Sequence, residues 1–154
     1  MAKKARSIRM IIQSDLKNVY LVGLAVHKIC SYVLMSEMMA YQLETCVVEA
    51  VNNAILHACK DRKDKEVEVA LTIAEDRVHF AVTDWGEPME DFNPQKLEFD
   101  PEDLSTLPEH GMGLHIIQEI MDEVTYTANE EGNRLSMIKY LDDSKVRAAS
   151  PPVS

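Results

Sequence analysis

The chain has 154 residues, 46% of them hydrophobic and 27% charged, with 26 acidic against 16 basic side chains and a formal charge of −10. That is enough chain for one buried core and too little for two, and the composition excludes a disordered or fibrous protein. The acidic balance also argues against a protein that grips nucleic-acid phosphates, because the only basic cluster is Lys3, Lys4, Arg6 and Arg9.

The first predicted element is a strand from Ser7 to Gln13, where Ile8, Met10 and Ile12 alternate with other residues. The same alternation breaks up any signal-peptide core. The most apolar run, Val19 to Cys30, is interrupted by His27 and Lys28, so no membrane span is expected and the chain reads as cytoplasmic. A turn at Ser14 and Asp15 leads into a helix from Leu16 to Met35. A second helix runs from Ser36, a capping residue, to about Cys59. Its apolar face is Leu43, Val47, Ala50, Val51, Ala54 and Ala58, and Glu49, Asn53 and His57 form a separate polar stripe. Cys30, Cys46 and Cys59 lack the spacing of zinc or redox pairs and are expected as buried, reduced thiols.

After the charged connection Asp61 to Glu66, the alternating segments around Val67 to Ile73 and Val78 to Val82 predict an antiparallel hairpin turned at Glu75 and Asp76. The strand ends at Asp84-Trp85-Gly86-Glu87-Pro88. From there to His110 the chain is rich in Pro, Asp and Glu, with a short helix expected at Pro101 to Leu104. Nine acidic residues and one Lys lie between Asp84 and Glu109, so most of the net charge sits in this segment, which reads as a functional loop or lid over residues 89 to 110. Gly111-Met112-Gly113 opens a helix that buries Leu114, Ile117, Ile120, Met121 and Val124. A hairpin closes the chain, Val124 to Ala128 and Arg134 to Leu141 around Glu130 to Asn133, and residues 142 to 154 read as a flexible tail.

Three of these features can carry chemistry. Glu49 and Asn53 are one helical turn apart and point the same way; a carboxylate can take a proton from a hydroxyl, and an amide oxygen can be one ligand of a magnesium ion that keeps most of its waters. Asp84 and Gly86 end a strand, where a carboxylate can border a pocket and a glycine admits close approach; a plain turn would use the same residues. The N–H groups of a glycine-rich helix start at Gly111 and Gly113 can bind phosphate without a basic side chain.

In their order and spacing these motifs resemble the ATP-binding domain of the GHKL superfamily, which includes gyrase, the Hsp90 chaperones, histidine kinases and mismatch-repair ATPases. More narrowly, ETCVVEAVNNAILHA and HGMGLHIIQEIMDEVTY are similar to the anti-sigma-factor serine kinases of bacterial partner-switching systems. The resemblance covers residues 7 to 141. It implies a two-layer α/β sandwich with a mixed, mostly antiparallel sheet, three helices on one face, and ATP between the layers beneath the 89 to 110 lid. By the same resemblance Glu49 is the general base for a serine hydroxyl, Asn53 the magnesium ligand, Asp84 the acceptor of the adenine amino group and Gly86 the glycine beneath the base. Gly111 and Gly113 cradle the phosphates, and His57, His110, Met112 and Leu114 complete the expected nucleotide-binding set.

The implied partners are a STAS-domain antagonist as phosphorylation substrate, a sigma factor or another target, and a second copy of the chain, with no direct binding to nucleic acid or membrane. A switch module that binds nucleotide without transferring phosphate is the alternative, and retention of Glu49 favours the kinase. Two departures stand out. Pro88 replaces a second glycine found in larger superfamily members, and the last strand offers Arg134 and Ser136 where the superfamily often places an adenine-network Thr.

Overall fold

The computed structural model describes residues 5–60, 62–90, 92 and 112–141. The expected helix at 101–104, most of the 89–110 segment and the tail from 142 lie outside the described residues.

Strand β1 (Arg6–Gln13) is followed by a 3-10 turn, Leu16–Asn18, and helix α1 (Val19–Leu34). The turn starts where the Asp15 carboxylate accepts the Lys17 N–H at 3.0 Å, which splits the single helix expected from Leu16 onward. Helix α1 stops at Met35, which takes a left-handed conformation at φ 52° and donates its N–H to Ser31 O. Helix α2 (Glu37–Asn53) starts immediately, with Ser36 Oγ accepting the Met39 N–H at 3.2 Å. The last turn of the helix predicted to reach Cys59 is instead a π turn, Ala54–Ala58, closed by a bond from Cys59 N–H to Ala54 O at 2.9 Å. Strands β2 (Glu66–Ile73) and β3 (Arg77–Asp84), helix α3 (Met112–Ile120) and strands β4 (Glu123–Asn129) and β5 (Gly132–Tyr140) complete the order.

The five strands form one sheet in the order β1-β2-β3-β5-β4, and every pair is antiparallel. The expected mixed sheet thus has no parallel pair among the described residues. The cause lies in the crossover: two successive helices take the chain back and forth once, so β2 enters the sheet beside the end of β1, where Ser14 N–H bonds Lys65 O at 2.8 Å.

Strand periodicity sorts the sheet into two faces. Val67, Val69 and Leu71 on β2, Val78, Phe80 and Val82 on β3, and Leu135 and Met137 on β5 are buried against the helices. The other face is polar: Arg9 bonds Glu68, His79 bonds Ser136, and Ser7 bonds Thr72 across strands. Helix α2 is the centre of the other layer, touching α1, α3 and β3, and buries Leu43, Cys46, Val47, Ala50 and Val51. All three cysteines are buried and unpaired, as expected, and burial pushes the Cys30 and Cys46 thiols up to about 12. Lys139 extends from the helix-facing side of β5 to donate to Ile120 O at 2.9 Å, closing the end of α3.

These contacts set a stability scale that denaturant titration can check. Phe80, fully buried on the central strand, should cost about 3–5 kcal/mol when replaced by Ala. Met35→Gly should instead stabilise the fold by about 0.5–1 kcal/mol, because the exposed Met35 side chain holds a conformation that glycine adopts without strain.

Candidate nucleotide site

Asp84 is the last residue of β3 and faces the helix layer, because Val78, Phe80 and Val82 before it at two-residue spacing do so. It is only 6% exposed. Its Oδ1 accepts from the Gly86 N–H at 2.9 Å and from Asn133 Nδ2 at 2.8 Å, and Oδ2 takes part in neither bond. Burial pushes the carboxyl above its ordinary range, and these two donors partly oppose the shift. Asn133 Nδ2 also donates to Gly86 O at 2.9 Å, so one amide group ties together the strand end and the turn that follows.

By its sequence Asn133 belongs to a turn, and Arg134 and Ser136 are the residues the last strand offers on this face. The structure corrects that. Pairing sets Asn133 opposite Asp84 and Arg134 opposite Thr83, so Arg134 and Ser136 occupy the helix-free face. There Arg134 Nε reaches Thr83 Oγ1 at 3.4 Å and Ser136 bonds His79. The register is held by Gly132, at φ +127°, where a Cβ would lie 3.0 Å from both Asp84 O and Trp85 Nε1. In the sequence, Asn133 beside Gly132 looks like turn chemistry, and only the cross-strand pairing shows that its side chain turns inward.

Gly86 follows with its own constraint. A side chain there would overlap the backbone of Ala58, whose carbonyl also accepts the Glu87 N–H at 2.9 Å. The close approach that Gly86 permits is therefore between the strand end and the end of the π turn. That contact satisfies a carbonyl the helix end leaves open.

Beside this junction is a pocket enclosing about 380 Å³, part of it open to solvent. Ala50, Ala54 and Ala58 line the helix side, Val82, Asp84, Leu135 and Tyr126 the sheet side, and Asn53, His57, Met89 and Leu114 the remainder. The small alanine side chains leave the space. Of the expected site residues, Asn53, His57, Asp84 and Leu114 thus share one pocket. His57 reaches it from the π turn, out of step with the α-helical stripe of Glu49 and Asn53, and is exposed.

Glu49 is half-buried beside the pocket instead of lining it. It lies against the first turn of α3: a Cβ on the buried Gly113 would come within 2.5 Å of Glu49 Oε2. Met112 begins α3 and is half-buried. His110 and Gly111 lie outside the described residues. One end of the site is therefore apolar, with a single buried carboxylate, and the other sets Glu49 and Asn53 beside a helix start.

Magnesium fits such a site only as an ion shared with phosphates. Asn53 is a side chain of this pocket with one hard oxygen to offer, and no group of three or more His, Cys, Asp or Glu that could hold a metal occurs among the described residues. No helix among those residues is long and apolar enough to cross a membrane.

Comparison with known proteins agrees with this layout. Residues 12–139 match the family model described as the histidine kinase-like ATPase domain. The chain is 34% identical over 108 residues to the serine-protein kinase RsbW of Bacillus subtilis strain 168, covering 68% of this chain and 66% of that protein. It is 37% identical over 106 residues to the serine-protein kinase RsbW of Staphylococcus epidermidis, covering 66% of this chain and 65% of that protein. The matches thus span just under two thirds of the length of those relatives. With an alternating strand that ends in a buried carboxylate, a pocket behind it and a match across most of its length, the chain belongs to the histidine kinase-like ATPase domain family.

Proposed function

We propose that the chain is an ATP- and magnesium-dependent serine protein kinase of a bacterial partner switch. It phosphorylates a STAS-domain antagonist and controls a sigma factor or another target, and it works as a cytoplasmic homodimer whose ATPase domain spans residues 7 to 141. The observation that carries this reading is a buried, Asn133-held Asp84 and Asn53 lining one apolar pocket, with Glu49 beside it against the first turn of α3.

The base of ATP enters between the alanines of the helix side and Val82 and Leu135, and its exocyclic amino group donates to Asp84. Gly86 keeps that wall close to the helix end. The phosphates extend towards the start of α3, where Gly113 and its neighbours offer backbone N–H groups. Magnesium, when bound, neutralises phosphate charge, and Asn53 is the side chain placed to hold it. Glu49 accepts the proton of the substrate serine hydroxyl.

Phosphoryl transfer is tested by combining the chain with magnesium, γ-labelled ATP and the antagonist encoded nearest to it. Label should appear on an antagonist serine. Glu49→Ala should lower the rate by roughly 100-fold or more while ADP affinity stays within about threefold, as for loss of a general base. ATP binding without transfer to any antagonist would favour the switch module.

Asp84 gives a second test with two opposed readouts. An acid whose pKa rises on folding lowers stability above that pKa, and the deficit disappears as pH falls through it. Asp84→Asn keeps an oxygen to accept from Asn133 and Gly86 while removing the buried charge. It should stabilise the chain at pH 7 by on the order of 1 kcal/mol, with the gain shrinking as the pH falls into the carboxylate range. Calorimetric ADP affinity should fall at least roughly tenfold in the same variant.

A further inference from the structure

The chain leaving β3 is fastened at two points on opposite sides of the pocket. Glu87 N–H bonds Ala58 O at 2.9 Å on the helix side, and Met89 N–H bonds the Tyr126 hydroxyl at 2.9 Å on the sheet side. Between them is Pro88, whose ring fixes φ and which has no N–H to place. Residues 87 to 89 therefore form a short, stiff strap from the π turn to β4, and Ala58, Met89 and Tyr126 all line the pocket it borders. Tyr126 is suited to anchor it. The residue faces the helices opposite Leu135, and its ring packs on Phe92 with centroids 5.3 Å apart and a 35° tilt.

We propose that Tyr126 is a positioning residue for the nucleotide base: by holding the Met89 amide it keeps the Glu87–Met89 strap in place, so that Met89 stands as a preformed apolar wall of the base pocket. The inference rests on the nucleotide-binding reading above and deepens it. It also gives Pro88 a role. A glycine at that position would leave the strap free to sample many conformations, and ordering it would oppose binding. The proline removes most of that freedom beforehand, and the tyrosine hydroxyl sets where the strap rests. Because the wall meets the base, its effect should be blind to the number of phosphates.

The test uses the full chain, with ADP and adenosine as separate probes in calorimetry and hydrogen exchange read at the Met89 amide. Tyr126→Phe keeps the ring and its packing on Phe92 and removes only the acceptor. It should speed exchange at Met89 and weaken ADP and adenosine by the same factor, roughly 3–10-fold, with the thermal midpoint little changed. Pro88→Gly leaves β4 untouched and should weaken both ligands likewise, which keeps the proposal testable if the tyrosine variant folds poorly. Tyr140→Phe, which removes an exposed hydroxyl bonded to Glu123, should change neither affinity.

Unchanged ADP and adenosine affinity in Tyr126→Phe and Pro88→Gly would overturn the proposal, as would a loss confined to ADP or an unchanged Met89 exchange rate in Tyr126→Phe. Failure of the unsubstituted chain to bind either ligand would instead overturn the nucleotide reading itself, and this inference with it.

Discussion

A carboxylate buried at the end of the central strand is the constraint on which the site depends. Asp84 is shielded from water next to an apolar pocket, burial raises its pKa, and the Gly86 N–H and the Asn133 amide, which both donate to one of its oxygens, partly oppose that shift. That arrangement exists in only one strand register. Sliding β5 by a single residue would exchange Asn133 for Arg134 and expose the Leu135 and Met137 side chains to solvent. The turn before β5 blocks such a slip: Asn129 Oδ1 accepts the Glu131 N–H at 2.8 Å, and Gly132 takes a backbone conformation closed to other residues. The hairpin farthest from the chain start thus sets the electrostatics of the pocket.

The helix layer meets the same site from the other side. Ser36 starts α2 and fixes its register, so that Leu43, Val47 and Val51 are buried in the core while Asn53 lines the pocket and Glu49 lies beside it. The π turn that follows widens the helix where Ala54 and Ala58 form the pocket wall, and its end receives the chain leaving β3 through Ala58 O. Two layers that share little sequence therefore meet at a backbone contact too close for a side chain on Gly86. The tight junction fixes the distance between the alanine wall and the buried carboxylate.

Much of this could be read from the chain itself, for identifiable reasons. Alternation in Val67 to Ile73 and Val78 to Val82 marks strands with one buried face, and the spacing of Leu43, Val47 and Val51 marks a helix with one. The Ser36 cap was legible because a hydroxyl at a helix start meets its own backbone three residues on. The π turn was not legible: over the five residues Ala54–Ala58 its wider pitch leaves apolar spacing close to that of an α-helix. The split at the start of α1 escaped as well, since the helix-compatible run from Leu16 hides a local carboxylate cap at Asp15. From sequence, Arg134 and Ser136 stand as open candidates on the pocket face because, without pairing, the phase of a short polar strand is ambiguous; the register puts both on the helix-free face.

The sequence by itself determined the helix that carries Glu49 and Asn53 and the strand that ends in Asp84 and Gly86, because each is written in patterns a few residues long, while the two-layer architecture was implied by the family resemblance those motifs carry. Only the tertiary structure decided which groups answer those residues. Asn133 reaches Asp84 across 49 positions and Tyr126 reaches Met89 across 37, while Ala58 and Gly86 touch through backbone atoms that carry no side-chain signature. Local periodicity reports which face of an element is buried. The partner met on that face is set by strand register and layer packing, which arise only when distant segments come together.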